Sequence, residues 1–550
     1  MDTNITITIK NYNKTVVIPS GTKIFNLLKP EDEGAFITAR VNNAITSLSY
    51  SLKVKSIVEF ITSDSHEGME VYRRSLSFLL AKSTSVLYPK SNLVIRHSLG
   101  PGYYYELDNH IVTDQDILDI KKQITGEIRA NKPISRGKIS HAEAVEILKK
   151  NNAHDKIKLI ETLNNPVLVY YKCDDYFEIL DAPLASSTGI LTVFELIKYE
   201  NGFILQFPKR SNMTIPAPFT EQRKIFEVYQ KYKELGKALN ADNVGSLNKI
   251  ISTKHIKDFI QVEEALQEGQ IIKLATDILN KSDKIKIITI AGPSSSGKTT
   301  FSKRLELQLK AHGLKPKTIS VDNYFVDRNK TPLDSDGKYD YESLDALNLN
   351  LFNEHIDVLL NGKEINPPRY DFISGLSVPS DNAMKLADNE IIIIEGIHCL
   401  NEKLTYSIAR DNKYKVYISA LTQMNIDNIN RIPTTDNRVL RRLVRDYRYR
   451  GHSAIKTLQM WPSVRKGEER NIFPFQNDAD GYFNSALDYE LSILKSYAEP
   501  ILLQVSPDDH EYGEARRLLR FLSYFLSVPA DYVPPTSLLR EFIGGSFFSY

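Results

Sequence analysis

The loop Gly292-Pro-Ser-Ser-Ser-Gly297-Lys298-Thr299, set between the apolar run Lys284–Ile290 and a helix-compatible run, constrains this chain more than any other feature. A Gly-x-x-x-x-Gly-Lys-Thr loop belongs between a strand and a helix. Its glycines let successive N–H groups turn toward phosphate oxygens, and the helix adds its positive end. The spacing predicts a cradle formed by Gly292, Pro293, Ser294, Ser295, Ser296, Gly297, Lys298, Thr299 and Thr300. Lys298 can then reach the β- and γ-phosphates, and the Thr299 hydroxyl can ligate Mg²⁺. The expected ligand is a nucleoside triphosphate, ATP or GTP.

Around this loop, short apolar runs at 284–290, 317–321, 391–395, 413–419 and 501–505 alternate with helical stretches. The helices are expected to begin at Thr299, near Leu347, at Asp436 and at Glu511. Continuous apolar strands separated by helices predict a parallel sheet buried on both faces. Ligands of such sheets sit beyond the carboxyl ends of the strands. Asp322 follows the second run and Glu395 ends the third, while Asp371 lies in a loop. Glu395 is expected as the second acidic arm for Mg²⁺, and Asp322 as the base that takes the proton of an attacking hydroxyl. Six arginines, at 438, 441, 442, 445, 448 and 450, fall within thirteen residues. Spacings of three and four put Arg438, Arg441, Arg442 and Arg445 near one helical face, where like charges repel unless an anion meets them. Gly451 suits the hinge or stop of a lid.

With 550 residues the chain exceeds one core, and about three or four domains are expected. Its 42% apolar and 25% charged residues are those of globular protein, and its net charge of +2 carries no nucleic-acid signal of its own. Two cysteines, Cys173 and Cys399, exclude a disulfide scaffold or Cys-rich zinc site. The start Met1-Asp-Thr-Asn lacks a signal-peptide pattern, and no apolar run reaches the roughly 20 residues of a membrane span, so a cytoplasmic location without membrane attachment is expected.

Residues 3–62 read as a small α+β module: a hairpin from Ile5–Ile9 and Lys14–Ile18, a short helix at Lys23–Leu28, then strands at 35–41, 47–50 and 56–60. A helix from about Gly68, strands at 103–105 and 167–171, and helices at 114–124 and 141–150, the last capped by Ser140, define a second module to about Pro208. Residues 219–280 read as mostly helical and as a connector packed on the carboxyl-terminal domain.

The carboxyl half resembles the uridine kinase and phosphoribulokinase family over roughly 284–525. The residues that carry the likeness are the phosphate loop, Asp322-Asn-Tyr-Phe325, Tyr341-Glu-Ser-Leu-Asp-Ala346, Pro368-Arg-Tyr-Asp-Phe372, Glu395-Gly396 and the arginine lid. The resemblance implies a nucleoside kinase. Asp322 would face the sugar 5′-hydroxyl, Glu342 the ribose hydroxyls, and Tyr370, with Tyr324, the nucleoside pocket. Arg442, Arg445 and Arg450 would meet the phosphates. Two positions depart from the family pattern. Gly375 stands where uridine kinases carry a base-reading histidine, and His452 where a basic residue follows Arg450-Gly451.

The amino half resembles threonyl-tRNA synthetase: a ubiquitin-like TGS domain at 1–62, then its second additional domain at 63–210, followed by a connector at 211–280 and the kinase-like domain at 281–550. In the editing site of that synthetase domain, Arg74 and Phe78 replace two histidines and Phe177 a third; only Cys173 remains. The resemblance therefore implies a non-editing domain, with Cys173 a small buried hydrophobe. The aromatic end Phe547-Phe-Ser-Tyr550 is expected to dock on the protein.

The expectation is thus a multidomain α+β and α/β protein with Mg²⁺-dependent kinase activity toward uridine or cytidine. The residues leave open a kinase of another small alcohol, such as a ribose derivative or pantothenate. They also leave open a nucleotide-binding regulator that contacts RNA through its amino half, and a homo-oligomer by analogy of fold.

Overall fold

The computed structural model describes residues 4–334, 337–371, 374–380, 382–387 and 390–549. They divide into two compact units. The first holds the chain up to His255 together with Gln423–Pro433 and Leu502–Ser527; the second holds Ile256–Thr422, Thr434–Ile501 and the segment from Val528 onward.

The first unit begins with β1 (Asn4–Ile9), β2 (Lys14–Pro19), β3 (Phe36–Val41), β4 (Ala44–Ser47) and β5 (Ser56–Thr62), in the order β2-β1-β5-β3-β4. Only β1 and β5 run parallel. Alternate side chains, among them Ile7, Ile9, Ala39, Val58 and Phe60, close one apolar core. The expected helix at 23–28 is a 3-10 turn, Ile24–Leu27, because Phe25 stays exposed and only Ile24 is buried.

Helix α1 (His66–Leu87) starts at Ser65, whose hydroxyl accepts the Gly68 N–H at 2.9 Å. It and α2 (Asp114–Arg129) share a core with a four-stranded antiparallel sheet. That sheet holds β6 (Leu93–Leu99) and β7 (Gly102–Leu107), with strands Glu195–Tyr199 and Gly202–Gln206 beside them. Ser140 caps the helix His141–Lys150 as expected, in a reciprocal box with Glu143.

The two late segments belong to this unit through specific bonds. Asn425 donates to the Ile95 carbonyl at 2.6 Å, and the Ile95 N–H donates to the Asn428 carbonyl at 2.7 Å. The Asn43 side chain donates to the Pro507 carbonyl at 2.8 Å. The helices expected as a connector divide between the units: Arg223–Ala238 and Val244–Ser252 lie in the first, Ile256–Leu279 in the second.

The second unit is a parallel α/β layer. Its strands are β8 (Ile287–Ala291), β9 (Lys315–Ser320), β10 (Glu390–Glu395), β11 (Lys413–Ser419) and β12 (Gly481–Asn484). They lie in the order β9-β10-β8-β11-β12, every pair parallel. Ile287, Ile288, Thr289 and Ile290 of the central strand are completely buried, as a strand covered on both faces requires. Helix α3 (Lys298–Ala311) follows β8, and α4 (Thr434–Tyr449) and α5 (Ala454–Asn471) form the arginine-rich region before β12.

The fifth strand differs from the sequence reading. Residues 501–502 end the helix Glu490–Leu502, and 503–505 form the turn after it; Gly-Tyr-Phe-Asn at 481–484 takes the edge instead. Four residues opening on glycine give too short an apolar run to be read as a strand.

Candidate active site

The carboxyl ends of β8, β9 and β10 put the phosphate loop, Asp322 and Glu395 side by side. The loop leaves β8 at Ala291, and Gly297, at φ +84°, opens α3. At Gly292 a Cβ would lie 2.0 Å from the Ile418 carbonyl oxygen, so only glycine allows the loop this close to β11. The Lys298 ammonium turns back onto the carbonyls of Gly292 (2.9 Å) and Pro293 (3.3 Å). The Ser295 and Ser296 hydroxyls are buried without a hydrogen-bond partner, an arrangement suited to a polar ligand.

Two loop donors are taken by carboxylates that the sequence analysis did not single out. Glu468 of α5 is fully buried and accepts the Ser294 N–H at 3.0 Å. Glu541, near the end of the chain, accepts both the Thr300 N–H (3.1 Å) and its hydroxyl (2.8 Å). Glu468 sits near no motif, and nothing local in the tail Leu538-Leu-Arg-Glu-Phe-Ile-Gly-Gly-Ser546 aims Glu541 at the loop.

Asp322 lies in the turn Val321–Tyr324 after β9. Burial pushes its carboxyl above the usual range, opposed by the charges of Lys298, Arg450 and Arg445. Burial also raises Glu395, to about 7, with Asp322 adding to it and Lys298 opposing. Glu342 rises to about 7 through burial and the nearby Glu468 charge, against Arg442 and Lys298. The Asp322 charge thus raises both Glu395 and Glu342, with Lys298 opposing, and a cation would relieve such a region. No trio of His, Cys, Asp or Glu among the described residues forms a metal site by itself. The half-buried Thr299 hydroxyl and Glu395 nonetheless fit the hard oxygen-donor preference of Mg²⁺, which binds through few protein ligands plus phosphates.

The arginine cluster divides into two sets. Arg438 and Arg441 are fully buried and paired, Arg438 with Glu468 and Arg441 with Glu490 at 2.6 Å. Arg438 also bonds the Ser294 carbonyl at 2.9 Å, and Arg441 the Ser295 carbonyl at 3.3 Å, so this pair braces the loop from behind. Arg442, Arg445 and Arg450 gather around the buried Asp446, at 3.2, 2.8 and 3.7 Å. Arg442 also donates to the Ser294 hydroxyl at 2.7 Å. The like charge of Arg445 holds Arg450 down to about 10. His452 lies 3.8 Å from Asp446 and is held below its usual value by burial.

On the acceptor side, the hairpin Arg369–Asp371 with Leu376–Val378 carries Tyr370, whose ring lies 5.4 Å from that of Phe325. The Arg328 side chain hydrogen-bonds Tyr370, and its guanidinium fills the space beside Gly375: a Cβ there would lie 2.6 Å from it. Phe372, named in the motif, lies outside the described residues. Tyr324, at the end of the Asp322 turn, is 1% exposed, stands edge-on to Phe352 and bonds His355 at 3.0 Å.

Residues 287–492 match the family model "Phosphoribulokinase / Uridine kinase family". The match runs from the start of β8 into the helix Glu490–Leu502. The amino-terminal half resembles threonyl-tRNA synthetase. Relatives include the threonine–tRNA ligase of Clostridium tetani, 26% identical over 204 residues, which are 36% of this chain and 32% of that protein. The corresponding ligase of Desulforamulus reducens is 29% identical over 188 residues, 33% of this chain and 30% of its own. The chain spans about a third of the length of these curated relatives. Among solved structures, a "Possible Uridine Kinase" from Bacillus stearothermophilus is 20% identical, covering 39% of this chain and 98% of its own, with a TM-score of 0.28. A D-glycerate 3-kinase from Cryptococcus neoformans is 12% identical, covering 49% and 87%, with a TM-score of 0.21.

In the synthetase-like part, Phe78 and Cys173 lie in one apolar cluster with Ile134, Tyr171, Leu180 and Leu184. The Phe78 ring meets Tyr176 edge-on at 5.2 Å, Phe177 packs on Tyr170 at 4.9 Å, and Arg74 donates to the Pro183 carbonyl. Burial raises the Cys173 thiol. In the aromatic end, the Phe547 side chain is 77% exposed while its N–H donates to the Pro535 carbonyl at 2.9 Å, and Phe548 is half-buried; Tyr550 lies outside the described residues.

Proposed function

We propose that the carboxyl-terminal region transfers the γ-phosphate of ATP or GTP to the 5′-hydroxyl of a nucleoside, uridine or cytidine. The observation that carries this reading is Asp322, a carboxylate held within electrostatic reach of Lys298, Arg445 and Arg450 at the end of the strand next but one to the phosphate loop. A protein that only sensed nucleotide would need no base beside the transferring phosphate.

In this reading the loop amides and Lys298 hold the triphosphate, and Asp322 accepts the proton of the attacking hydroxyl. Arg442 and Arg445 meet charge as it develops on the transferring group, and Arg450 stands at the lid's end. Thr299 and Glu395 would hold Mg²⁺, which supplies charge neutralisation between the β- and γ-phosphates when bound. Glu342 accepts from the ribose hydroxyls, and Tyr370 with Phe325 offers aromatic faces to a flat base.

Arg328 bears on acceptor choice. Its guanidinium stands where a side chain at 375 would be, beside Tyr370, and donates toward carbonyl edges such as those of pyrimidines. The same group suits an acceptor with a carboxylate, which keeps pantothenate as the second reading. A kinetic comparison of uridine, cytidine and pantothenate separates them. Arg328→Met should raise the KM of the true acceptor about tenfold, with ATP affinity unchanged. An unchanged KM would remove Arg328 from recognition.

The amino-terminal half is proposed as a TGS-like domain at 1–62 and a non-editing synthetase-like domain at 63–210, supported by the apolar cluster around Phe78 and Cys173.

A further inference from the structure

The last described stretch of the second unit is built into the phosphate loop. Leu538, Leu539 and Phe542 are completely buried and Ile543 is 2% exposed. Gly297 makes room for Leu538, since a Cβ at Gly297 would lie 2.1 Å from the leucine side chain. The Phe542 ring sits 5.1 Å from the Arg441 guanidinium. Arg540 ties the segment back on itself through the carbonyls of Ala530 (2.9 Å), Val533 (2.6 Å) and Gly544 (3.2 Å). Within this apolar anchor, one acid points at the loop: Glu541, on the Thr300 N–H and hydroxyl.

Those two donors stand in the first turn of α3, where the free N–H groups and the helix dipole favour an anion. They are among the donors that a phosphate loop presents to the α- and β-phosphates of a nucleotide. A carboxylate that accepts both takes charge-assisted hydrogen bonds of the kind a phosphate oxygen would make. Two anions cannot share that place.

We propose that Ser537–Gly545 is a strap that closes the nucleotide site, with the Glu541 carboxylate standing in for a nucleotide phosphate at Thr300. The inference rests on the kinase reading only in requiring that nucleotide binds this loop. Nucleotide then binds the fraction of molecules whose strap is displaced, so apparent affinity is lowered by that fraction. Glu541 also adds to the negative charge felt by Glu395, which an incoming Mg²⁺–nucleotide would relieve. Gly544 and Gly545, at φ +84° and +70°, follow the acid three and four residues on. Both conformations favour glycine and end the short helix that carries the acid. Any partner that holds the strap aside would raise nucleotide affinity without touching the loop.

The test is ADP binding by calorimetry with the full chain. Glu541→Gln keeps size and one acceptor but removes the charge. It should bind ADP roughly tenfold more tightly than the wild type. Equal or weaker binding would overturn the proposal. A second measurement needs no variant. Amide hydrogen exchange at 538–545 of the wild type should quicken on saturation with ADP, and unchanged or slower exchange would overturn the strap equally. The kinase reading fails separately, through absent phosphorylation of every acceptor while ADP still binds. Absence of ADP binding in both proteins would sink both.

Discussion

At the residue scale, the electrostatics of the site set its pH dependence. Burial raises Asp322 above the ordinary carboxylate value, so its base form is gained only as pH climbs past that raised value. The acid limb of kcat/KM should therefore lie above the usual carboxylate range near pH 4 and fall tenfold per pH unit below it. A limb at or below pH 4 would contradict the assignment. His97 of the first unit shows the opposite sign. It is 3% exposed, stacks on Tyr229 at 3.8 Å, and is held well below its ordinary value by burial and by Arg431, Arg96 and Lys233. The unfolded chain therefore binds the proton first. Stability present above pH 6.5 should be lost as pH falls from 6.5 toward the lower folded-state value. Urea midpoints at pH 7 and pH 5.5 should drop less in His97→Phe than in the wild type, and equal drops would remove His97 as the cause.

At the scale of elements, Glu468 joins α5 to α4 through Arg438 and to the phosphate loop through Ser294, and pairs within its own helix with Arg465 at 2.8 Å. Glu468→Gln leaves the buried Arg438 without its counter-charge and should cost about 3 kcal/mol, read as a lowered denaturant midpoint. A change of a few tenths would mean that Arg438 is paired adequately without it. This element shows why the sequence was only partly legible. The motif that follows β8, and the acids at the ends of β9 and β10, were readable because chemistry fixes their distance from a strand. The arginine helix was readable as a charged face, yet its division was not: Arg438 and Arg441 are bound by Glu468 and Glu490, which lie 30 and 49 residues further on. Glu541 was invisible for the same reason, being 241 residues from Thr300.

At the scale of the whole molecule, chain order and compact units do not coincide. The first unit takes Gln423–Pro433 and Leu502–Ser527 from within the span of the kinase-like half. Phe525 and Leu518 in the later segment are completely buried. A fragment beginning at Ile256 would strip these segments of their partners and should aggregate when expressed alone, whereas the full chain stays monodisperse by light scattering. A soluble, folded fragment would show that they are dispensable. The interleaving also explains why a domain reading by position, with boundaries at 62, 210 and 280, could not foresee the division at His255. Among the described residues, no helix is long and apolar enough to cross a membrane.

The central claim is tested most directly by coupled ADP release from the purified full chain with Mg²⁺, ATP or GTP, and a panel of nucleosides, ribose derivatives and pantothenate, with Asp322→Asn alongside. The account predicts turnover with uridine or cytidine that falls about a thousandfold in the variant while ATP binding persists. Silence across the panel, or near-normal turnover by Asp322→Asn, would contradict it.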